Sequence, residues 1–162
     1  MRLLIGLAMS LIIAVGAYVS FASRPPPVFA ETRINPERFA AAGMALAGKR
    51  LVAVGELGHI LLSDDQGKTW TEAKIKDARG SALTQVAFFN DKEGVAVGHD
   101  AWVLFTEDGG LNWRETMFDK DLSEPLLGVW GLADGPVFAY GSFGRFFSSK
   151  DHGRTWEKRD SG

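Results

Sequence analysis

An eight-residue pattern recurs three times in this chain at a fixed spacing of 43 residues. The copies are Ser63-Asp64-Asp65-Gln66-Gly67-Lys68-Thr69-Trp70, Thr106-Glu107-Asp108-Gly109-Gly110-Leu111-Asn112-Trp113 and Ser149-Lys150-Asp151-His152-Gly153-Arg154-Thr155-Trp156. A second block precedes each copy in the same register: Val52-Ala53-Val54-Gly55, Val95-Ala96-Val97-Gly98 and Phe138-Ala139-Tyr140-Gly141. Over the columns ending at the three tryptophans, one alanine, two glycines, one aspartate and the tryptophan are identical, with no insertion or deletion. A fixed period of this size means one supersecondary unit packed against copies of itself. The chain is read as a repeat protein.

Each period divides into stretches rich in β-branched and aromatic residues, bounded by Gly, Asp and Asn. Leu83–Phe89 and Leu126–Leu132 read as first strands, and Leu51–Gly55, Gly94–Gly98 and Val137–Gly141 as second strands. His59–Leu62, Trp102–Phe105 and Arg145–Ser148 read as third strands, and the fourth run from each tryptophan through Trp70–Ile75, Trp113–Phe118 and Trp156–Arg159. Four short antiparallel strands in about 40–45 residues is what one β-propeller blade needs. The expectation is an all-β chain, a partial propeller of three four-stranded antiparallel blades over residues 40–76, 83–119 and 126–160. Asn35-Pro36-Glu37 has the composition of a helix start. The repeat register nevertheless places a first strand over Ala40–Leu46, and that assignment is taken, with a helix over Arg38–Ala47 as the alternative.

The eight-residue pattern reads physically as the hairpin turn between third and fourth strands. Asp65, Asp108 and Asp151 are placed to accept from turn N–H groups, with Ser63, Thr106 and Ser149 opening the turn. Gly67, Gly110 and Gly153 supply positive φ without steric cost. Thr69 and Thr155 re-enter a strand, where the middle copy has the poorer strand former Asn112. Trp70, Trp113 and Trp156 each offer a large apolar area to a neighbouring sheet.

The N-terminus has a different composition. Arg2 precedes an uncharged apolar run from Leu3 to Ala22, then Ser23, Arg24 and Pro25–Pro27. A basic start, an apolar stretch and a small-residue cleavage site form a secretory signal. Residues 1–30 are expected to be removed after Ala22 or Ala30, or to stay as an N-terminal anchor helix, with residues 31–162 secreted or periplasmic in both cases. With no cysteine, the chain has no disulfides, thiolate metal sites or Cys nucleophiles. A formal net charge of −2 with no long basic stretch argues against nucleic acid as a partner. Membrane contact is expected only through the N-terminal segment.

The repeated pattern resembles the Asp-box, or BNR repeat, Ser/Thr-x-Asp-x-Gly-x-Thr-Trp, with Asn112 as its one departure. Such boxes occur in sialidase-like and other secreted propellers. Val-Ala-Val-Gly ahead of the box, with Pro125-Leu126-Leu127-Gly128-Val129-Trp130 before the third copy, makes the chain resemble the photosystem II assembly/stability factor family over residues 40–162. The resemblance implies a non-enzymatic module for protein binding or complex assembly. A remnant of a sialidase-like glycoside hydrolase propeller is the alternative. Ile34 to Gly162 holds three 43-residue periods, whereas propellers close with four or more blades. The expectation is a truncated family member, with an arc closing by self-association as the second option.

Little in the sequence points to catalysis, and no catalytic, metal or cofactor residues are assigned. The box aspartates are committed to turn geometry. A sialidase-like site needs several arginines on a carboxylate and a tyrosine nucleophile. Beyond residue 30 there is one tyrosine, Tyr140, expected in the core. His59, His99 and His152 occupy three different places in the repeat and do not converge as metal ligands would. The residues left as a partner-binding rim are Glu56, His59, His99, Asp100 and Arg145, at the loops between second and third strands. Arg145, Arg154, Lys158 and Arg159 also concentrate positive charge in the third copy, a candidate docking patch for an acidic segment. Export of the full chain is checked by N-terminal sequencing of the extracytoplasmic product: the expected first residue is Ser23 or Glu31, and an intact Met1 on an exported protein would establish the anchor.

Overall fold

The computed structural model describes residues 35–122 and 124–159, together with Leu11, Ile13, Ala14 and Tyr18. The chain divides into two compact units, 1–33 and 34–162. The predicted signal or anchor helix lies almost wholly outside the described residues. Its four described positions are helical, and no helix among the described residues is long and apolar enough to cross a membrane.

The second unit is built from three sheets. The first contains β1 (Ala41–Ala47), β2 (Arg50–Gly55), β3 (Ile60–Ser63) and β4 (Thr71–Glu72), paired in that order. After the two-residue β5 (Lys74–Ile75), the second contains β6 (Leu83–Phe88), β7 (Gly94–Gly98), β8 (Val103–Thr106) and β9 (Asn112–Met117). The third contains β10 (Leu126–Gly131), β11 (Val137–Gly141), β12 (Phe146–Ser149) and β13 (Glu157–Arg159). Within each sheet successive strands pair antiparallel, so each is an up-and-down meander. This is the architecture of a partial propeller.

The sheets stack face to face because strand side chains alternate. In β7 and β8, Ala96 and Leu104, with Trp102 just before β8, pack toward the first sheet with Val52, Val54, Ile60 and Leu62. The intervening Val95, Val97, Val103 and Phe105 pack toward the third with Leu126, Val129, Val137, Ala139 and Phe147. Every residue of β7 and β8 is therefore buried, which is why these stretches read as continuous apolar runs. The first strands converge at the inner side: Val129 N–H donates to Gln85 Oε1 at 2.8 Å, and a Cβ on Gly43 would stand 2.9 Å from Gln85 Cα.

The repeated glycine that ends each second strand has a specific cause. Gly55, Gly98 and Gly141 are in extended backbone, so φ does not require glycine there. A Cβ at each would instead run into the carbonyl oxygen of Ala40, Ala82 or Pro125, where the chain enters the sheet.

Three features depart from the sequence-based expectation. The first is local: a 3-10 turn at Pro36–Arg38, capped by the Asn35 side chain accepting from Glu37 N–H at 3.0 Å, precedes β1, so helix start and strand are both present. β1 is also one residue out of repeat register. Met44 pairs with Ala53, whereas Val86 pairs with Ala96 and Val129 with Ala139. The cause is the hairpin: Ala47 pairs with Arg50 across the two-residue turn Gly48-Lys49, whereas Phe89 and Glu93 close a three-residue turn. A one-residue slip reverses the faces, so Met44 and Leu46 are exposed while Ala45 and Ala47 enter the core.

The second departure is that the fourth strand of the first blade is not continuous. Ala73 N–H donates to Ile60 O, and then Lys74 and Lys76 donate to Leu111 and Trp113 of the next blade, each at 2.9 Å. β5 thus pairs parallel with β9 and makes the middle sheet five-stranded, in place of the predicted four antiparallel strands. Ala73 is buried and small, which lets the backbone cross at that point.

The third departure concerns Tyr140, expected in the core but 46% exposed. It lies on the face of the third sheet opposite the second, and burial there needs a further layer. The same face carries Trp130, Phe138 and Phe146, stacked at ring-centroid distances of 6.3 and 5.4 Å.

Trp113, 2% exposed, lies between first and second sheets, whereas Trp70 and Trp156 are half-buried. Trp113→Ala is expected to cost about 3–5 kcal/mol, and Trp70→Ala clearly less. Urea unfolding of the two variants checks this ordering.

Candidate functional site

The meander places two sets of loops at opposite ends of the sheets. One end carries the first-to-second hairpins and the three repeated turns. The other carries the second-to-third loops and the connections between blades.

At the first end each turn is closed by the same bonds. Asp65 Oδ1 accepts from Thr69 N–H at 2.8 Å and Oδ2 from Thr69 Oγ1 at 2.6 Å, while Ser63 Oγ accepts from Gly67 N–H at 2.7 Å and donates to Asp65. Trp70 Nε1 donates to the Gly67 carbonyl at 3.1 Å. Ser149, Asp151, Gly153, Thr155 and Trp156 repeat this set. In the middle turn, with Thr106, Gly110 and Trp113, the Asn112 amide stands in for the threonine hydroxyl and donates to Asp108 Oδ2 at 2.7 Å. The motif departure therefore keeps the bond, because the asparagine amide, like the threonine hydroxyl, supplies a donor to the same carboxylate oxygen. Gly67, Gly110 and Gly153 have φ of 87°, 88° and 93°.

These bonds hold the carboxylates ionised. Thr69 and Ser63 hold Asp65 at about 2. At Asp151 burial pushes upward, but Thr155 and Ser149 outweigh it and leave the group at about 2. Asp108 shows the same opposition, with Asn112 and Thr106 lowering it. Next to the third turn Glu93 accepts from His152 at 2.9 Å and Arg154 at 2.6 Å, His152 first in effect, and is lowered to about 2.

The opposite end gathers all five rim residues. In each blade a 3-10 turn links second and third strands: Glu56–Gly58, His99–Ala101 and Ser142–Gly144. Its middle residue is Leu57, Asp100 or Phe143, with φ of 53°, 57° and 56°. This left-handed region disfavours side chains with a Cβ. Leu57 is 61% exposed and Phe143 89%. Asp100 Oδ2 accepts from Ser81 Oγ at 2.6 Å, and its carbonyl from Asp119 N–H. Glu56 accepts from Ala40 N–H.

The residue opening each third strand occupies one repeat position with three different chemistries. His59 Nδ1 meets Glu72 at 2.6 Å, and Trp102 Nε1 donates to Glu115 at 2.8 Å. Glu115 also takes Arg79 Nη2 at 2.7 Å, and Arg79 lowers its pKa. At the third position the cross-strand equivalent of Glu72 and Glu115 is Lys158, so Arg145 turns to Glu124 at 3.0 Å and its Nε stays buried without a partner. Glu72, Glu115 and Glu124 were missed in the sequence, although a constant 13-residue offset marks the first two.

The predicted basic patch is not one surface. Arg145 precedes β12 and Arg154 follows it, so they lie at opposite ends of the strand, and each is paired to a carboxylate. Among the described residues no group of three or more His, Cys, Asp or Glu is arranged to hold a metal.

The profile of the family described as photosynthesis system II assembly factor YCF48 matches residues 12–106, more than half of the chain. The chain belongs to that family. No curated protein matches it. Among solved structures it is similar to YCF48 bound to a D1 peptide, with a TM-score of 0.62 and 24% identity over 73% of this chain. It is also similar to YCF48 from Cyanidioschyzon merolae, with a TM-score of 0.58 and 22% identity over 73% of this chain. The chain spans 39% of the length of each of these. An ancestral GH74 enzyme shares the fold, with a TM-score of 0.59 and 15% identity over 76% of this chain and 20% of its own. At these identities the likeness speaks for the fold alone.

The lowered carboxylates give a pH expectation for this YCF48-family chain. Their folded values lie below the ordinary carboxylate range of about 4, so their contribution is present above that range and is lost as pH falls toward about 2. Thermal unfolding followed from pH 6 to 2 should show a steep loss below about 4, and Asp151→Asn should flatten it while lowering stability at neutral pH.

Proposed function

We propose that this chain is a non-catalytic propeller module, acting outside the cytoplasm, that holds a segment of a partner protein at the second-to-third loop end of its blades. The observation that carries this is the exposure of Leu57 and Phe143 at equivalent turn apices in left-handed backbone. Two large apolar side chains held in water in a disfavoured conformation have no use in the fold itself, and strain of this kind concentrates at binding sites. Membership of an assembly-factor family and a relative solved with a bound peptide support the same reading. Assembly of a larger complex would follow from holding such a segment, and the signal-like N-terminus supports the extracytoplasmic location.

The chemistry supports a binding role over hydrolysis. Glycoside cleavage needs a carboxylic acid kept protonated near neutral pH. The carboxylates shifted here, Asp65, Glu93, Asp108, Glu115 and Asp151, are all shifted downward. Tyr140 makes no hydrogen bond to a carboxylate among the described residues, and Arg79 and Arg145 at the loop end are occupied by glutamates.

Panning a random peptide library on the full chain tests the proposal. The expected outcome is a peptide consensus whose enrichment disappears on a Leu57→Ala, Phe143→Ala double variant of unchanged melting temperature. Failure to enrich any consensus, or sustained turnover of glycosides by the purified chain, would overturn it.

A further inference from the structure

The loop end has a chemistry of its own, which resting on the binding reading above extends to the kind of segment it takes. Leu57, Asp100 and Phe143 occupy the same repeat position in successive blades. They form a row across the arc with the order apolar, acidic, apolar. Asp100 spends one carboxylate oxygen on Ser81 Oγ, and its other oxygen has no hydrogen-bond partner among the described residues.

Charge at this end favours the same polarity. The two arginines are neutralised within the chain, Arg79 by Glu115 and Arg145 by Glu124. Around them the four carboxylates of Glu56, Asp77, Asp119 and Asp121 make no ion pair among the described residues, against the three unpaired amines of Lys76, Lys120 and Lys158. An incoming acidic segment would have to displace a paired glutamate. A basic one meets unpaired carboxylate directly, and such complementarity sets both encounter and register.

We propose that the loop end takes an extended basic segment in which a lysine or arginine lies at Asp100 between two apolar side chains seated on Leu57 and Phe143. Stacked sheets stand about 10 Å apart. That spacing is matched by about three residues of polyproline II backbone, which rises about 3.1 Å per residue and returns every third side chain to one face. The segment therefore has the form apolar-x-x-basic-x-x-apolar. This conformation needs no sheet edge and leaves its backbone solvated, as a surface of turn apices requires.

The test uses the full chain and synthetic fluorescein-labelled peptides. The probe is leucine, two prolines, lysine, two prolines and leucine; its counterparts carry glutamate at the centre, or serine at both ends. The lysine peptide is expected to bind about tenfold more tightly than either counterpart, with affinity falling as salt rises. Leu57→Gly and Phe143→Gly should each weaken binding by about tenfold while melting temperature holds or rises, because glycine relieves the left-handed conformation. Asp100→Asn should remove the preference for lysine over glutamate. Equal or tighter binding of the glutamate peptide overturns the proposal, as does binding unaffected by both glycine variants. If library panning enriches ligands but none shows this pattern, the segment chemistry is wrong and the binding reading stands. If panning enriches nothing, the binding reading itself fails.

Discussion

The middle sheet has no free face. Alternate residues along β7 and along Trp102–Phe105 are committed to opposite neighbours, Leu104 and Trp102 to one and Phe105 and Val103 to the other, and all four are fully buried. Burial at roughly 25 cal/mol per Å2 of apolar area makes such double coverage the main source of stability in a stack of small sheets. No single blade could hold its strands alone, since each buries its apolar faces only against another. The glycines at Gly55, Gly98 and Gly141 and the tryptophan of each turn follow from that stacking. The glycines let the incoming chain close on each sheet, and each indole is fastened to its own turn so that it packs in a set direction.

Within this frame, equivalent positions do different work. Arg50 and Glu93 both reach the turn of the following blade, Arg50 through the Gly109 carbonyl and Glu93 through His152 and Arg154, but Pro136 offers no such side chain. At the opposite end His59, Trp102 and Arg145 share one position and find glutamates by two routes. The packing positions are held by contact with the neighbouring sheets, while the loop positions differ in chemistry from blade to blade.

The turns were legible because their bonds are local. Aspartate, serine or threonine, glycine and tryptophan fall within eight residues, so spacing alone implies the geometry. Even Asn112, a misfit to the motif, is explained by its own side chain. The loop end was half legible. Glu56, His59, His99, Asp100 and Arg145 were recognisable as loop residues, but Leu57 and Phe143 were not, because nothing in a leucine or phenylalanine announces positive φ. Arg145 and Arg154 were grouped by sequence proximity, and one antiparallel strand between them sends them to opposite ends.

The sequence by itself determined the repeat, the four-strand antiparallel meander of each period and the chemistry of its turns, since each depends on contacts between near neighbours or on the period itself. Tertiary structure alone decided the register of β1, the crossing of β5 to the next blade, the exposure of Tyr140 and the pairing of both loop-end arginines. Each of those depends on what lies opposite, across a sheet face or a hairpin whose length differs by one residue. A repeat period cannot encode that difference, because it assigns equal positions equal environments, and the end blades of a stack do not have the environment of the middle one.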